Sequence, residues 1–343
     1  KPLLTDSFID KPICEIKLKI TMANDTVQKG INIALKDCLA VQPEDRLLIL
    51  TDIQKVGIGK LFWENGLNYS SECVLVTMNP TGRHSAPLPE FIAEIMKKAT
   101  CVIAPTTYSI SHTKARRDAT KKGVRIASLP DITEETISRA MNVNYKEVAR
   151  LSEKLADLLT NAKKAVVISG DGKAELRLNL EGRKGLADTG MLTKPGAFSN
   201  LPAGEAYIGP LEGKSEGTLI VNGSFPNIGL LGDEKIIIEV RDGIASRISG
   251  GPKAEKLNEL LCGFKERNVA ELGIGTNPKA KLCGNVLEDE KIMGTVHIAF
   301  GNNESMGGCV NAKIHLDGVV LNPTLIIDGE KVMDKGKLLE SLK

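Results

Sequence analysis

The sequence predicts a mixed α/β fold, with an N-terminal doubly wound α/β domain followed by a β-rich domain of α+β type. In the first half, short continuous apolar runs alternate with amphipathic segments, a pattern typical of buried parallel strands joined by helices. After residue 163, segments of alternating polarity are separated by Gly, Asp and Asn turns, which predicts antiparallel hairpins. The predicted domains are therefore residues 1–163, Rossmann-like, and residues 164–343, β-rich.

The first domain is predicted from its β-branched and aliphatic runs. The predicted strands are Leu47–Leu50, Cys73–Met78, Cys101–Ala104 and Val124–Ala127, and the clearest helices are Pro87–Thr100, Asp131–Met141 and Asn144–Ala162. The last helix places Val148, Leu151 and Leu155 on one face, so it is expected to pack against a core and to end the domain or lead into the next. Strands that alternate with helices predict the doubly wound arrangement.

The second domain is predicted from its hairpin signals. The predicted strands are Ala165–Ser169, Ala174–Leu180, Gly217–Val221, Lys235–Val240 and Gly243–Ile248. The only clear helix of this half is Pro252–Lys265. All candidate metal ligands belong to this half of the chain.

Composition predicts a soluble cytoplasmic protein. The 343 residues carry a net charge of only +2, so no basic excess calls for nucleic acid. No apolar run approaches the roughly 20 residues that cross a bilayer, and Lys1–Asp6 lacks the pattern of a signal peptide. The seven cysteines form no C-x-x-C pair, which indicates reduced thiols; Cys309 is either a packed thiol, the favoured interpretation, or a soft metal ligand.

Histidine and carboxylate residues are concentrated near the C-terminus. His315 and Asp317 are two apart, so in a strand they share one face and offer a nitrogen and an oxygen ligand to the same point. His297 lies in the apolar run Val296–Phe300. Such ligands suit zinc, manganese, cobalt or iron. Alternatively, His297 is a core histidine bonded to a backbone carbonyl, and His315 with Asp317 is an ordinary hydrogen-bonded pair.

Two carboxylates upstream strengthen the metal hypothesis. Glu205 follows a turn signal, and Glu271 lies inside an apolar segment that opens into glycines. A lone acid among apolar neighbours is costly to bury unless a cation or a donor meets it. Three carboxylates and two imidazoles are enough ligands for two metal ions. The other histidines, His84 and His112, lie in predicted loops of the first domain and either line a cleft mouth or have no chemical role.

The motifs of the C-terminal half resemble those of the thermophilic metallo-aminopeptidases, the aminopeptidase T and S group. The matching segments, in order, are Leu201–Glu205, Glu271–Gly273, Asp289–Lys291, His297–Gly301 and His315–Asp317. The resemblance implies a binuclear centre of two divalent ions, zinc, cobalt or manganese, held by Glu205, Glu271, His297, His315 and Asp317. It also implies a hydrolase that releases N-terminal residues from small peptides through a metal-bridged water, and a homodimer.

One position departs from the peptidase pattern. The family usually has a Tyr seven residues after the first His, and this chain has Glu304 there. A carboxylate beside a cation can take a proton from water and pass it to a leaving amine, so Glu304 is the candidate general base, or else a ligand. Glu290 and Lys291 could instead orient the metal ligands.

The chain also resembles, more distantly, the 2,5-dihydroxypyridine dioxygenases, which hold a single iron with two His and one Asp. They share the His-x-Asp pair and a Glu near position 304, but their first His falls where this chain has Glu271, and they lack counterparts of Glu205 and His297. This resemblance implies the alternative function, a mononuclear iron enzyme acting on a small aromatic ring or amide. A metal-binding protein without catalysis is the third hypothesis.

Overall fold

A computed structural model describes residues 24–342. The predictions made for Lys1–Asp6 and for Cys14, and the start of the first predicted domain, lie outside this range. Within it there are eight α-helices, α1 to α8 in chain order: Asp25–Asn32, Val56–Gly66, Glu90–Lys98, Lys114–Lys121, Glu134–Ala140, Tyr145–Asn161, Pro252–Leu260 and Val286–Asp289. A π-helix, Ile33–Cys38, continues α1. No helix in residues 24–342 combines the length and apolar character that crossing a bilayer requires.

The strands are numbered β1 to β20 in chain order. The first eight are Arg46–Asp52, Glu72–Met78, Cys101–Ala104, Arg125–Ser128, Lys164–Ser169, Ala174–Asn179, Leu186–Asp188 and Phe198–Asn200. The next six are Glu205–Ile208, Glu216–Val221, Ser224–Phe225, Gly229–Leu230, Ile236–Arg241 and Ile244–Ser249. The last six are Val269–Gly275, Val296–Gly301, His315–Val320, Thr324–Ile327, Glu330–Asp334 and Lys337–Leu338. Short 3-10 helices cover Lys265–Arg267, Glu304–Met306 and Glu340–Leu342.

The first half forms a parallel sheet in the order β2-β1-β3-β4-β8. The four strands predicted there are confirmed to within two residues at each end, and the predicted helices appear as α3, α5 and α6. Strands β3 and β4 are almost wholly buried because helices cover both faces, which is why their sequences are continuously apolar.

The second half is antiparallel. An eight-stranded sheet has the order β14-β13-β10-β6-β5-β18-β19-β20, and a five-stranded sheet has the order β17-β16-β15-β9-β7. The five hairpin strands predicted for this half are confirmed, and the predicted helix is the shorter α7 followed by a 3-10 turn. The parallel sheet and the antiparallel sheets together make the fold a mixed α/β one.

The chain crosses between the two halves more than once. The predicted boundary at residues 163 and 164 coincides with the end of α6 and the start of β5. However, β8 returns to pair in parallel with β4, and Leu192, Leu201 and Ala203 pack in the core beneath the parallel sheet. The sequence contained no signal for this return, because β8 has only three residues. The two-domain division itself stays a prediction.

The eight-stranded and the five-stranded antiparallel sheets share one hydrophobic core. Alternate residues of β15 and β16, including Leu272, Ile274 and Ile298, belong to that core. Since side chains alternate across a strand, the residues between them face the other side of the five-stranded sheet. That other face carries the candidate ligands.

Candidate metal centre

The five candidate ligands lie on one face of the five-stranded sheet. Glu205 is on β9, Glu271 on β15, His297 on β16, and His315 with Asp317 on β17. The register places Ala299 between Glu271 and Asp317, and Gly301 opposite His315. Glu205 is paired with Gly275 of β15, two positions along from Gly273. The structure therefore brings together, on one sheet face, all five candidate metal ligands that the sequence proposed.

Small residues make the room for these side chains. A Cβ added to Gly273 would lie 1.9 Å from Nε2 of His297, so the imidazole occupies the space that any larger residue would fill. Ala299, the residue between Glu271 and Asp317 in the register, is also small and fully buried. The glycine and alanine of these strands thus allow long polar side chains to cover a flat sheet face.

The outer group consists of Glu271, His315 and Asp317. Nε2 of His315 lies 3.2 Å from Oε2 of Glu271 and 3.2 Å from Oδ1 of Asp317. One ligand atom from each residue falls within 4.8 Å of the others. The His315 side chain is 28% exposed, so this group reaches solvent.

The inner group consists of Glu205, Glu271 and His297, and it shares Glu271 with the outer group. Nε2 of His297 lies 3.3 Å from Oε2 of Glu205 and 3.2 Å from Oε1 of Glu271. All three residues are buried. Among the described atoms, Oε2 of Glu205 and Nδ1 of His297 have no hydrogen-bond partner. Buried polar atoms are rarely left in this state, so an unpaired carboxylate oxygen facing an imidazole fits a cation position.

The hydrogen bond on the far side of His315 supports a ligand role. Nδ1 donates to the carbonyl oxygen of Asn302 at 2.7 Å, since a carbonyl can only accept. In the neutral ring Nε2 then presents a lone pair to two carboxylates, an arrangement that requires a cation. Without a metal the cation is a proton: burial disfavours the imidazolium, but the charges of Asp317 and Glu271 outweigh it and raise the pKa of His315 well above its usual value.

Lys291 lies beside the inner group. It is fully buried, and Nζ donates to Oε1 of Glu205 at 2.5 Å. The same Nζ is 2.8 Å from Glu290 and 3.3 Å from Asp188. Burial would lower the pKa of Lys291, but the surrounding carboxylates raise it well above its usual value, so the residue is a fixed positive charge. That Glu290 and Lys291 orient the metal ligands stays a prediction.

The carboxylates around the centre outnumber the cations. Five carboxylates belong to it: Asp188, Glu205, Glu271, Glu290 and Asp317. If all five were ionised, they would exceed the ammonium of Lys291 by four negative charges. Burial opposes full ionisation and raises the pKa of Glu290 to about 8, despite the nearby Lys291. The donor set and this excess of negative charge both fit divalent cations.

Glu304 lies in the loop between β16 and β17, not among the ligands. It begins a 3-10 turn, is exposed, and belongs to neither ligand group. Its Oε2 accepts a hydrogen bond from Nδ2 of Asn311 at 2.8 Å. Cys309 of the same loop is also exposed and outside both groups, so the expectation that this thiol is packed is wrong.

His112 comes closer to the centre than its position in the sequence suggests. Burial lowers the pKa of His112, and the nearby positive charge of His315 lowers it further. The two imidazoles are therefore near enough for their charges to interact. His84 instead accepts a hydrogen bond at Nδ1 from the backbone N–H of Ser109 and stacks edge-on against Tyr108.

Sequence reasoning missed two residues of the centre. Asp188 joins it because β7 pairs with β9 and places Asp188 opposite Glu205. Asn302 joins through its backbone carbonyl, which no side-chain pattern can reveal. The pairing of a three-residue strand such as β7 cannot be predicted from so short a segment.

Comparison with known proteins places the chain in a family. A sequence model of the NicX family, described as 2,5-dihydroxypyridine 5,6-dioxygenase, matches residues 69–340. The chain belongs to this family. A 2,5-dihydroxypyridine 5,6-dioxygenase of Pseudomonas putida is 24% identical over 176 residues, which are 45% of this chain and 48% of that protein. The match thus spans about half the length of this curated relative.

Two solved structures share the fold of this NicX-family chain. The 2,5-dihydroxypyridine dioxygenase of Pseudomonas putida superposes with a TM-score of 0.77 at 18% identity, covering 92% of this chain and 97% of that one. AmpT from Thermus thermophilus gives a TM-score of 0.66 at 16% identity, covering 92% and 99%. Both resemblances stated from the sequence are therefore present, and the one to the dioxygenase is better supported than the one to the aminopeptidase.

Proposed function

We propose that this protein is a metal-dependent enzyme that opens a small hydroxylated aromatic ring, similar in reaction class to the 2,5-dihydroxypyridine dioxygenases. The observation that carries this proposal is the outer group: three ligand residues converge on one point, and the His315 side of that point is open to solvent. A metal held from one side keeps positions free for other ligands, which is the arrangement used by non-haem iron oxygenases. The family match supports the same reaction class.

Glu271, His315 and Asp317 would hold the ion in this proposal. Iron bound there would supply the one-electron chemistry that lets dioxygen react with an aromatic ring. The Asn302 carbonyl keeps the Nδ1 proton of His315 in place, so that Nε2 faces the ion. The donor set has one imidazole and two carboxylates, whereas the resembling dioxygenases use two His and one Asp; this chain therefore places one more negative charge on the ion.

Glu304 is the proposed proton acceptor. It is exposed on the loop that leads into His315, and its Oε2 is held by Asn311. A carboxylate at this position can take the proton of a ring hydroxyl as the substrate binds.

The test is metal analysis combined with oxygen uptake. The purified protein, loaded with ferrous iron without oxygen, should bind close to one equivalent and consume oxygen with a hydroxylated pyridine such as 2,5-dihydroxypyridine. Zinc loading should abolish this consumption, because zinc has no redox chemistry. No oxygen uptake with a panel of hydroxylated pyridines and benzenes, despite one bound iron, would overturn the proposal.

A binuclear aminopeptidase is the second candidate, and a specific observation favours it. The inner and outer groups share Glu271 and together offer five ligand residues, enough to hold two divalent ions. Metal ions held there would supply an activated water for peptide hydrolysis, and Glu304 would be the general base. Two equivalents of zinc, cobalt or manganese together with release of N-terminal residues from short peptides would select this candidate.

A further inference from the structure

The loop of residues 302–314 connects β16 to β17 and determines the orientation of His315. Its first residue, Asn302, accepts the Nδ1 proton of His315 at its carbonyl oxygen. The backbone N–H of Asn302 donates to the carbonyl of Ile314 at 2.8 Å, which closes the loop at its base. Any shift of this loop would therefore move the hydrogen-bond partner of His315.

The loop is fastened to the rest of the protein by Glu212, in the segment between β9 and β10. Oε1 of Glu212 accepts from Nδ2 of Asn303 at 2.8 Å and from the backbone N–H of Cys309 at 2.9 Å. One carboxylate oxygen thus joins the two sides of the loop. Asn303 is fully buried and bonds in turn to Val310, through its Oδ1 and through its backbone N–H.

Arg183 holds Glu212 in place. One guanidinium nitrogen donates to Oε2 of Glu212 and the other to the carbonyl of Gly307, at the tip of the loop. Both side chains are mostly buried, 12% and 22% exposed, so the pair is shielded from solvent. Ionised hydrogen-bonded pairs in such surroundings are stronger and more directional than exposed ones.

We propose that Arg183 and Glu212 are positioning residues for the metal ligand His315, acting through the Asn302–Ile314 loop. Among the described residues, the side chains of Arg183 and Glu212 bond to each other and to the loop, not to Glu271, His315 or Asp317. Their effect on metal binding is therefore indirect. This inference rests on the proposed function only in requiring that His315 is a ligand.

The experiment measures the metal affinity of the 343-residue chain by letting the protein and a chelator compete for the metal. In Glu212→Gln the amide still accepts one bond but loses the charge that Arg183 and two loop donors require. Losing a direct hydrogen-bond partner of a ligating histidine typically weakens metal affinity roughly 10- to 100-fold; Glu212 acts one step further out, so the lower end of that range, about 10-fold, applies to it. We expect that loss in Glu212→Gln, with the full fold retained by circular dichroism.

Asp45→Asn is the matched control. Asp45 pairs with Arg125, and the two side chains are 9% and 11% exposed, but they lie in the parallel-sheet half. This change should lower thermal stability without altering metal affinity. If both variants lose affinity in proportion to their loss of stability, Glu212 has only a structural role and the proposal is overturned.

His315→Ala distinguishes the positioning role of Glu212 from the ligand role of His315. Metal loss in His315→Ala with unchanged affinity in Glu212→Gln would overturn the positioning role and leave the proposed function standing. Unchanged metal binding in His315→Ala would overturn the ligand assignment on which both depend. Arg183→Lys gives a graded comparison: lysine keeps the charge but not the fork that reaches Gly307 and Glu212 together, so its affinity should fall between wild type and Glu212→Gln.

Discussion

The inner and outer ligand groups share Glu271 and one sheet face, yet their surroundings differ. In the inner group every ligand is buried, and Glu205 is already engaged by the ammonium of Lys291. In the outer group His315 is partly open, and its second nitrogen is fixed by a backbone carbonyl. The two groups contain the same kinds of ligand, carboxylate and imidazole. They differ in solvent access, which only the outer group has, and in the neighbouring positive charge of Lys291, which only the inner group contacts.

The largest effect on metal content and activity is expected from removing a ligand of the outer group. Asp317→Ala and His315→Ala should each remove the bound metal and reduce activity to background, because each change deletes a ligand. Metal per chain is measured by atomic emission after gel filtration. His84→Ala is the control and should leave metal content unchanged, since its imidazole bonds to Ser109 instead. Full metal occupancy in Asp317→Ala would show that the outer group is not the metal position.

Glu304→Gln should produce the next largest change. The amide preserves shape but cannot accept a proton, so turnover should fall roughly 100- to 10,000-fold with metal content unchanged. Rates at saturating substrate and metal analysis check this together. A drop in metal content that added metal partly restores would instead identify Glu304 as a ligand. Unchanged turnover and metal content would exclude both roles.

His297→Gln tests whether the inner group binds metal. If the outer group alone holds the ion, metal content should stay near one equivalent and activity should change less than in Asp317→Ala. If both groups are occupied, content should fall from about two equivalents towards one. Comparing this variant with His315→Ala under the same loading decides between the mononuclear and binuclear hypotheses, since each removes one imidazole from one group.

The smallest effect concerns the pH dependence of the metal-free protein. Burial opposes the charge on His297, but the Glu271 hydrogen bond and the nearby carboxylates raise its pKa to about 9, above the unfolded value of about 6.5. Its stabilising contribution is therefore complete below about pH 6.5 and is lost as the pH rises through about 9, on the order of 3 kcal/mol. Melting temperatures in chelator should fall across that interval.

Two comparisons check this pH effect. Added divalent metal should suppress the fall, because metal replaces the proton among the carboxylates. Asp45 should contribute nothing in the same interval. Although burial opposes its charge, Thr100, Gln42 and Arg125 lower its pKa, so its contribution is lost only as the pH falls through the acid range. A metal-free protein whose melting temperature is constant from pH 6.5 to 9 would contradict the assigned ionisation of the inner group.

Much of the fold followed from periodicity, and the exceptions have a common cause. The apolar runs that became β1 and β3 were predicted to within two residues, because burial on both faces leaves a continuous signal. β8 was not predicted, since three residues carry too little pattern and its pairing with β4 comes from a distant part of the chain. Short strands depend on tertiary pairing more than on their own sequence.

Two of the candidate ligands, Glu271 and His297, were recognisable because each is a titratable residue in an apolar run, and such a residue is costly to bury without a partner. By itself, the sequence determined which residue types gather in the C-terminal half, the alternation that puts His315 and Asp317 on one face, and the family resemblances.

Only the tertiary structure decided how those residues divide into two groups. The division follows from sheet register, which sets Glu271 opposite Ala299 and shares its carboxylate between His297 and His315. Register and the contacts of Lys291 and Asn302 arise between segments far apart in sequence, through backbone pairing that no local pattern encodes. The exposure of His315, the contact of Lys291 with Glu205 and the sharing of Glu271 therefore exist only once the sheet is assembled.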